Sequence, residues 1–321
     1  MRRILLRALL LIVVVATASA GLAALVWHEL TRPGPLADDR AVVVPRGSHA
    51  RLAEVLCAEG ALRQPLALRV AARLTAGEGP LRAGEFMFPA RGSLRDVLDV
   101  LRTARPVQHR LTIAEGLTAA AIAVLLDGTD TLSGEAVVPA EGAVLPETYL
   151  HERGMSRAAM LERAVQAMEH ELAQAWARRA DGLPLKSPEE MLTLASIVER
   201  ETAQAEERAR VAQVFINRLR RGMRLQSDPT VVYAASGGIG VLDRPISRAD
   251  LNADHPYNTY RIAGLPPGPI ASPGAASLAA VAHPAVGDDL YFVADGSGGH
   301  AFAKTLEEHN RNVARWRALN R

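Results

Sequence analysis

Two glutamates, Glu199 and Glu201, stand two residues apart in the run 195–202, Ala-Ser-Ile-Val-Glu-Arg-Glu-Thr, whose N-terminal half is mostly apolar. A carboxyl group held against an apolar wall stays protonated to higher pH, because burial penalises its charged form. Such a group can donate a proton to the oxygen of a leaving group near neutral pH. The chemistry that this pair indicates is therefore general acid–base catalysis.

Only one of the two side chains can face a given cleft, because residues two apart on a helix point about 200° apart. The predicted neighbours on the face of Glu201 are Ile197, Val198 and Ala205. Those on the face of Glu199 are Ala195, Ser196 and Thr202. The neighbours of Glu201 are more apolar and are expected to raise its pKa more. Glu201 is therefore favoured as the acid, with Glu199 as the runner-up or as a group that orients it. The alternative for both is a surface ion pair with Arg200 or Arg208, which contributes little stability.

Three helices are predicted to position this pair. Ser156 caps a long helix that extends to about residue 179. Ser187 and Pro188 begin the helix 191–202, with acidic residues at its positive end. A third helix, 206–220, ends at Gly222.

Beyond Gly222 the hydrophobic periodicity stops, and the sequence predicts a polar, loop-like segment at 226–230. Three of the five tyrosines follow, among amide and hydroxyl side chains of the kind that bind sugars. The predicted substrate-binding residues are Asn217, Gln226, Ser227, Asp228, Thr230, Tyr233, Tyr257, Asn258, Thr259 and Tyr260. The alternatives are turn formation for the polar residues, an Asx turn for Asp228, a surface amide for Asn217 and core packing for the tyrosines.

The N-terminus predicts a membrane anchor. Arginines precede residue 8, and no charged residue occurs from Ala8 to Trp27. About 20 apolar residues suffice to span a bilayer as a helix, and the positive-inside rule places the N-terminus in the cytoplasm. The alternative is a cleaved signal peptide with its cleavage site at Ala18-Ser19-Ala20.

A small α/β unit follows the anchor. The pattern predicts strands at 41–45 and 81–88, and helices after Ser48, at 66–74 and after Ser93. This order resembles a LysM-like module of cell-wall proteins, and the alternative is a generic α+β linker domain without a ligand. A further strand at 107–113 and a helix at 119–126 are predicted to connect it to a larger domain.

The composition narrows the class of function. The formal net charge is +2, and no basic block indicates a nucleic-acid partner. The single cysteine, Cys57, is predicted to be a buried thiol. The histidines do not have the spacing of a zinc site, and no glycine-rich phosphate loop appears. We therefore predict neither a metal nor a cofactor.

Many separate motifs occur in one order between residues 195 and 300. They include Val214-Phe215-Ile216-Asn217-Arg218-Leu219, Leu225-Gln226-Ser227-Asp228-Pro229-Thr230, Tyr257-Asn258-Thr259-Tyr260, Gly264-Leu265-Pro266-Pro267-Gly268 and Tyr291-Phe292-Val293-Ala294-Asp295-Gly296. This order resembles the endolytic murein transglycosylase (YceG-like) family, strongly over 141–310 and more weakly before it. Glu201-Thr202 also resembles the Glu-Ser pair of other lytic transglycosylases.

The resemblance implies an α+β protein of the bacterial inner membrane, with a periplasmic catalytic domain and a helix-borne catalytic glutamate. The implied domains are a cytoplasmic tail 1–7, a transmembrane helix 8–28, a linker 29–40, a LysM-like module 41–105, a connecting segment 106–140 and a catalytic domain 141–321.

The implied activity is cleavage of the MurNAc-GlcNAc bond in nascent peptidoglycan strands, which leaves 1,6-anhydro-MurNAc ends. The implied partners are glycan strands, the membrane and a peptidoglycan synthase or an elongation or division complex. One alternative is a non-catalytic peptidoglycan-binding scaffold. Another is a pyridoxal-phosphate lyase, but the only lysines, Lys186 and Lys304, have no recognisable phosphate cup beside them.

Overall fold

The computed structural model describes residues 2–319, which divide into two compact units. The first unit ends at His109 and the second begins at Arg110. Both units contain helices and short strands, so the chain is a mixed α+β protein with an apolar helix at its N-terminus, as predicted.

The N-terminal helix α1 runs from Arg2 to Thr31. Its segment Leu9–Thr31 has 23 residues. The most apolar 18-residue stretch of this segment has a mean hydropathy of 2.6, and the rest of the protein buries none of it. The helix therefore meets the length and composition of a membrane span. A signal sequence would meet the same criteria, so the two sequence-based alternatives stay open.

The rest of the first unit forms a strand–helix–helix–strand–helix arrangement. Its elements are β1 (Arg40–Val44), α2 (His49–Ala58), α3 (Pro65–Leu74), β2 (Gly84–Phe88) and α4 (Leu94–Thr103). Strands β1 and β2 pair antiparallel, with Val42 opposite Phe86. Ser48 and Ser93 cap α2 and α4 through their hydroxyls, as predicted. Cys57, predicted to be buried, is half-buried beside the core, and this partial burial raises the pKa of its thiol.

The segment 106–140, predicted to be a connection, belongs mainly to the second unit. Its elements and those that follow are β3 (Gln108–Thr112), α5 (Ala119–Asp127), β4 (Leu132–Ser133), β5 (Thr148–Glu152), β6 (Met155–Ser156) and α6 (Arg157–Ala177). Strand β3 pairs with β5, and β4 runs parallel to β6. Ile122 and Leu126 share one buried cluster with Tyr149 and Met160. Part of the predicted connecting segment thus shares a buried core with residues of the predicted catalytic domain.

The remaining elements of the second unit include the helix that carries both glutamates. They are α7 (Pro188–Glu201), α8 (Arg208–Arg220), α9 (Asp228–Ala235), α10 (Arg248–Asn252), α11 (Ala275–Ala282), β7 (Tyr291–Ala294), β8 (His300–Ala303) and α12 (Leu306–Leu319). Both glutamates lie on α7, and α8, α9 and α11 contact it. Strands β7 and β8 pair antiparallel. Ile197, Phe215 and Leu278 share one buried cluster from α7, α8 and α11. This packing fixes the C-terminal end of α7.

Two local predictions in this unit were wrong. Residues 228–230, predicted to be loop-like, form the first turn of the helix α9, because Ser227 and Pro229 provide a helix start that the short polar run obscures. Helix α7 ends at Glu201, and a 3-10 turn, Ala205–Glu207, follows. Ala205 therefore lies off the helix and does not share the helical face of Glu201.

Candidate active site

Glu201 is the last residue of α7, where the helix delivers its carboxyl group beside the start of α9. The hydroxyl of Ser227 donates a hydrogen bond to Oε1 of Glu201 over 2.5 Å. Burial raises the pKa of Glu201 to about 7, and the nearby charge of Asp228 acts in the same direction. The Ser227 hydrogen bond and the charge of Arg218 lower this pKa. The carboxyl can therefore both hold and release a proton near neutral pH.

Ser227 is held by a closed set of hydrogen bonds among buried groups. Its backbone N–H donates to Oγ1 of Thr259 over 2.9 Å, and the hydroxyls of Thr259 and Thr230 lie 2.8 Å apart. The hydroxyl of Thr230 donates to the carbonyl of Ser227 over 2.7 Å. All three residues are at most 1 % exposed. The Ser227 hydroxyl is therefore oriented before any ligand arrives.

Charged and phenolic groups complete the surroundings of Glu201. The Tyr260 hydroxyl donates to Oδ1 of Asp228 over 2.6 Å, and burial raises the pKa of Tyr260. Arg218 is buried, and its Nε and Nη1 donate to the carbonyls of Leu290 and Leu225 over 2.7 and 2.6 Å. Arg218 thereby places a fixed positive charge in this part of the unit.

Glu199 has a different environment from Glu201. Its Oε2 accepts a hydrogen bond over 2.9 Å from the backbone N–H of Gly274, which caps α11. Its Oε1 lies 3.4 Å from Nη2 of Arg208, and its side chain is 5 % exposed. Glu199 is therefore held in a buried ion pair, not in the surface pair considered from the sequence. Arg200 instead donates to the carbonyls of Gly116 and Gly240.

A cavity of about 420 Å³ opens beside both glutamates. It is formed by the loop after β3, the end of α7 and the start of α8. Its lining residues are Glu115, Gly116, Glu199, Arg200, Glu201, Thr202, Ala203 and Arg208. Sequence reasoning did not propose Glu115 or Gly116, because the loop that brings them lies far from α7 along the chain. It also did not propose Ala203 or Arg208, which follow α7 directly.

The structure places nine of the ten predicted substrate-binding residues in three groups. Ser227, Asp228, Thr230, Thr259 and Tyr260 lie in the hydrogen-bonded cluster around Glu201. Tyr233 and Tyr257 form an aromatic pair with ring centroids 4.9 Å apart. The amides of Asn217 and Asn258 donate to backbone carbonyls and are buried.

Asn217 is therefore neither the surface amide nor the carboxylate-orienting group considered from the sequence, because its Nδ2 binds the carbonyls of Gly287 and Asp289. Asn258 binds three carbonyls around the end of α10, including that of Asp250. Gln226 is exposed with a φ of 48°, a left-handed conformation that turns the chain just before Ser227. These three residues shape the loops of the site.

Glu141 is a functional candidate that sequence reasoning missed. Its Oε1 accepts a hydrogen bond from the backbone N–H of Ala119 at the start of α5, and its Oε2 accepts one from the Tyr233 hydroxyl over 3.2 Å. Burial raises the pKa of Glu141. No local pattern could have identified it, because Tyr233 lies 92 residues further along the chain.

Among residues 2–319, no group of three or more histidine, cysteine, aspartate or glutamate side chains is placed to hold a metal ion. What Glu201 offers chemically is a carboxyl group whose pKa burial raises to about 7, beside a cavity.

Comparisons with known proteins place this chain in a family. The model of the YceG-like family matches residues 42–315. A protein of Bacillus subtilis named endolytic murein transglycosylase is 47% identical over 125 residues, which are 39% of this chain and 34% of that protein. One of the same name from Streptococcus pneumoniae is 33% identical over 231 residues, 70% of this chain and 40% of that protein. The chain thus spans two fifths or less of these relatives.

A solved structure gives the same result. The crystal structure of a YceG-like protein of Listeria monocytogenes superposes with a TM-score of 0.55 at 27% identity, covering 85% of this chain and 98% of that one. The family model and the fold therefore agree over most of the chain. The chain belongs to the YceG-like family.

Proposed function

We propose that this protein is a lytic transglycosylase that cleaves the MurNAc-GlcNAc bond of peptidoglycan strands, with Glu201 as its single acid and base. The observation that carries this proposal is the carboxyl of Glu201, whose pKa burial raises to about 7 beside an open cavity. The names of the Bacillus and Streptococcus relatives support the substrate class.

In the first half of the reaction, protonated Glu201 donates its proton to the glycosidic oxygen as the bond from that oxygen to C1 of the muramic sugar breaks. The sugar's own acetamido group stabilises the positive charge that develops at C1. A second carboxylate at the spacing found in glycoside hydrolases is therefore not required.

In the second half, the Glu201 carboxylate takes the proton from the C6 hydroxyl of the same sugar, and that oxygen forms the new bond to C1. The products are a 1,6-anhydro-MurNAc end and a free 4-hydroxyl on the departing GlcNAc. No water is consumed, and Glu201 ends protonated. Ser227 supports the intermediate carboxylate through its donated hydrogen bond, which forms with the charged group.

The test is the substitution Glu201→Gln, which keeps the shape of the side chain and removes the proton donor. General acid–base catalysis contributes about 10²–10⁴-fold to a rate. We therefore expect the rate of release of anhydro-muropeptides to fall by at least about 10²-fold. Mass spectrometry of the products from uncrosslinked glycan strands measures it. Glu189→Gln, an exposed glutamate at the other end of the same helix, is the matched control and should retain the wild-type rate.

Three other outcomes would change the assignment. If Glu201→Gln releases products at the wild-type rate, the acid lies elsewhere, and Glu199→Gln tests the runner-up. If wild-type protein binds strands but releases neither anhydro nor hydrolysed ends, the protein is a non-catalytic scaffold. Products with reducing ends instead of anhydro ends would make it a hydrolase.

The location follows from the N-terminal helix. We propose that Leu9–Thr31 is an uncleaved anchor in the bacterial inner membrane and that Arg2, Arg3 and Arg7 keep the N-terminus in the cytoplasm. The second unit then faces the periplasm. Protease digestion of spheroplasts should remove the second unit while leaving an N-terminal epitope protected, and the opposite pattern would reverse the orientation.

The first unit and the partners are proposed from the sequence resemblance. We propose that residues 41–105 act as a LysM-like glycan-binding module and that the protein works with a peptidoglycan synthase in elongation or division. Binding of Glu201→Gln protein to purified glycan strands, with and without substitutions in the first unit, tests the module. Site-specific crosslinking in cells, with an anchored protein of unrelated function as control, tests the synthase.

A further inference from the structure

Helix α3 of the first unit carries apolar side chains on two faces. Leu68, Ala71 and Ala72 are buried in the core of the unit. Leu66, Val70 and Leu74, spaced four residues apart, are 62%, 47% and 67% exposed. A helix that needs only to close a soluble core has one apolar stripe. The second stripe is therefore not used by the core of the unit and is free to contact another apolar environment.

The exposed stripe borders a groove that α3 forms with the end of α1. The groove has a volume of about 290 Å³ and is lined mostly by apolar side chains. Leu25, Val26 and Leu30 line it from α1, and Leu66, Val70 and Leu74 line it from α3. An apolar groove of this size gives water few hydrogen-bonding partners.

The two walls of the groove are fixed relative to each other. Leu30 packs against the core of the first unit, and the guanidinium of Arg95 on α4 lies 5.9 Å from the ring centroid of Trp27. The end of α1 is thus docked on the unit rather than joined to it by a free linker. The position of α3 relative to the apolar helix is a property of the fold.

The groove is continuous with the segment that would cross the membrane. Leu25, Val26 and Leu30 belong to Leu9–Thr31, whose 23 residues extend about 35 Å at 1.5 Å per residue. Since the hydrocarbon layer is about 30 Å thick, these three residues lie near its outer boundary. Amphipathic helices that lie on membranes bury their apolar face about 5–10 Å deep in that boundary zone.

The charge of α3 fits the same environment. Arg69 and Arg73, one helical turn apart, are exposed beside the apolar stripe, and α3 contains no acidic residue. Arginine side chains can lie along an apolar surface while their charged ends reach the lipid headgroups. Anionic headgroups attract such residues by about 1 kcal/mol each.

We propose that α3 is a second membrane contact, in which Leu66, Val70 and Leu74 insert into the lipid interface on the side of the bilayer where α1 emerges. The occupant of the groove is then the upper part of the lipid acyl chains, with Arg69 and Arg73 among the headgroups. This inference rests on the proposed anchor and is independent of the proposed chemistry at Glu201. Its consequence is that the first unit lies against the membrane in one orientation.

The test uses the full chain in which Cys57 is replaced by alanine and a single cysteine carries an environment-sensitive nitrobenzoxadiazole dye. The label is placed at Val70→Cys, and the matched control is Val43→Cys on β1, a valine of the same unit with 48% exposure that does not line the groove. The protein is reconstituted into vesicles of mixed zwitterionic and anionic phospholipid. Emission is recorded with and without lipids that carry a nitroxide at the top of the acyl chain.

We expect blue-shifted, nitroxide-quenched emission from position 70 and water-like, unquenched emission from position 43. Adding Leu66→Ser and Leu74→Ser to the Val70→Cys protein should abolish the shift. These residues are exposed, so the melting temperature in detergent should stay within about 2 °C of the parent, which shows that the unit remains folded.

Three outcomes would overturn the inference. Water-like emission from position 70 in protein that resists alkaline carbonate extraction contradicts the lipid contact alone. Protein that carbonate removes from the vesicles contradicts the proposed anchor and the inference with it. A disulfide between two unlabelled Val70→Cys chains, with no lipid quenching of the dye in the labelled protein, assigns the stripe to a second copy of the protein. Activity at Glu201 is measured on the same samples and bears only on the proposed function.

Discussion

The two units of this protein differ in what they bury. In the part of the chain that the structure describes, the first unit buries Glu85 and Ser93 as its polar or charged side chains, whereas the second buries 16. Large apolar residues such as Phe86 and Phe88 fill the core of the first unit. The second adds buried threonines, asparagines and an arginine beside α7.

The difference shows what a buried acid requires of its surroundings. An apolar core tolerates many substitutions of similar volume, because packing is its main requirement. Buried polar groups must each find a partner, since an unsatisfied group costs about 1–3 kcal/mol. Ser227, Thr230 and Thr259 satisfy one another and thereby orient one hydroxyl at Glu201. Buried polar groups of the second unit thus orient a side chain at the candidate site, whereas the buried side chains of the first unit mainly form an apolar core.

The largest effect is expected from Arg218→Met, which removes a buried cation from the second unit. The carbonyls of Leu290 and Leu225 lose their donor, and we expect a loss of about 3–5 kcal/mol in the free energy of unfolding. Urea denaturation measures it. Arg220→Met, an exposed arginine on the same helix, should change stability by less than about 0.5 kcal/mol. Equal effects for the two variants would mean that the buried network contributes no more than the surface.

The matching substitution in the first unit is Leu68→Ala, which leaves a cavity in an apolar core. We expect a loss of about 2–5 kcal/mol confined to this unit, with the product-release rate per folded molecule unchanged. Hydrogen exchange resolved by segment, together with an activity assay in detergent, checks both parts. Leu66→Ala, exposed on the same helix, is the control. A reduced rate per folded molecule would show that the two units are coupled.

Stability should depend on pH through Glu201. Its pKa is about 7 when folded and 4.5 in the reference state, so between these values the folded protein holds more protons than the unfolded chain. The free energy of unfolding therefore falls as pH rises through this window, by an amount on the order of 1–3 kcal/mol. Glu201→Gln lacks this ionisable group, so the free energy of unfolding of the variant relative to that of the wild type should rise as the pH increases from 4.5 to 8. Urea titrations of both proteins across this range measure it, and a constant difference would contradict the raised pKa.

Removing the Ser227 hydroxyl should raise the pKa of Glu201 further. The hydrogen bond from Ser227 lowers the pKa of Glu201, so in Ser227→Ala the alkaline limb of the activity profile should shift up by about one unit. Ser236→Ala, which removes a hydroxyl from the end of α9, is the control and should leave the profile unchanged. A downward shift would show that Ser227 binds the protonated acid.

The smallest effect is expected from Glu141→Gln. The carboxylate accepts from both Ala119 and Tyr233, and an amide can replace only one of these bonds in its present orientation. We expect the Tyr233–Tyr257 pair to loosen, which raises the KM for glycan strands several-fold and leaves kcat within about twofold. Glu135→Gln, an exposed residue nearby in the chain, is the control. An unchanged KM would separate this aromatic pair from substrate binding.

The sequence predicted most of the helices, because their start signals are local. Ser93, Ser156 and Ser187 each accept a hydrogen bond from the backbone of the first turn, as their positions indicated. The same reasoning missed α9, whose apolar residues are too few to show a period. It also assigned no element to α10, α11 and α12 or to the strands β7 and β8.

For the site, the sequence identified Glu201 as a candidate, but one reason given for it was wrong. Ala205 does not share the helical face, because α7 ends before it. The carboxyl is instead surrounded by Ser227, Asp228 and Arg218, which lie 17 or more residues away in sequence. Glu199 differs from it because Gly274, 75 residues further on, donates to its carboxylate.

By itself the sequence determined the helices from α1 to α8, that the first of them suits a membrane and that an acid stands at the end of α7. These features follow from capping and hydrophobic period, which operate within a few residues. Only the tertiary structure decided which glutamate forms a buried ion pair and where the chain divides into two units. It also decided that Glu141 accepts hydrogen bonds from both the start of α5 and Tyr233. A pKa and a core boundary depend on groups brought together from distant parts of the chain, and their separation in sequence carries no local signal.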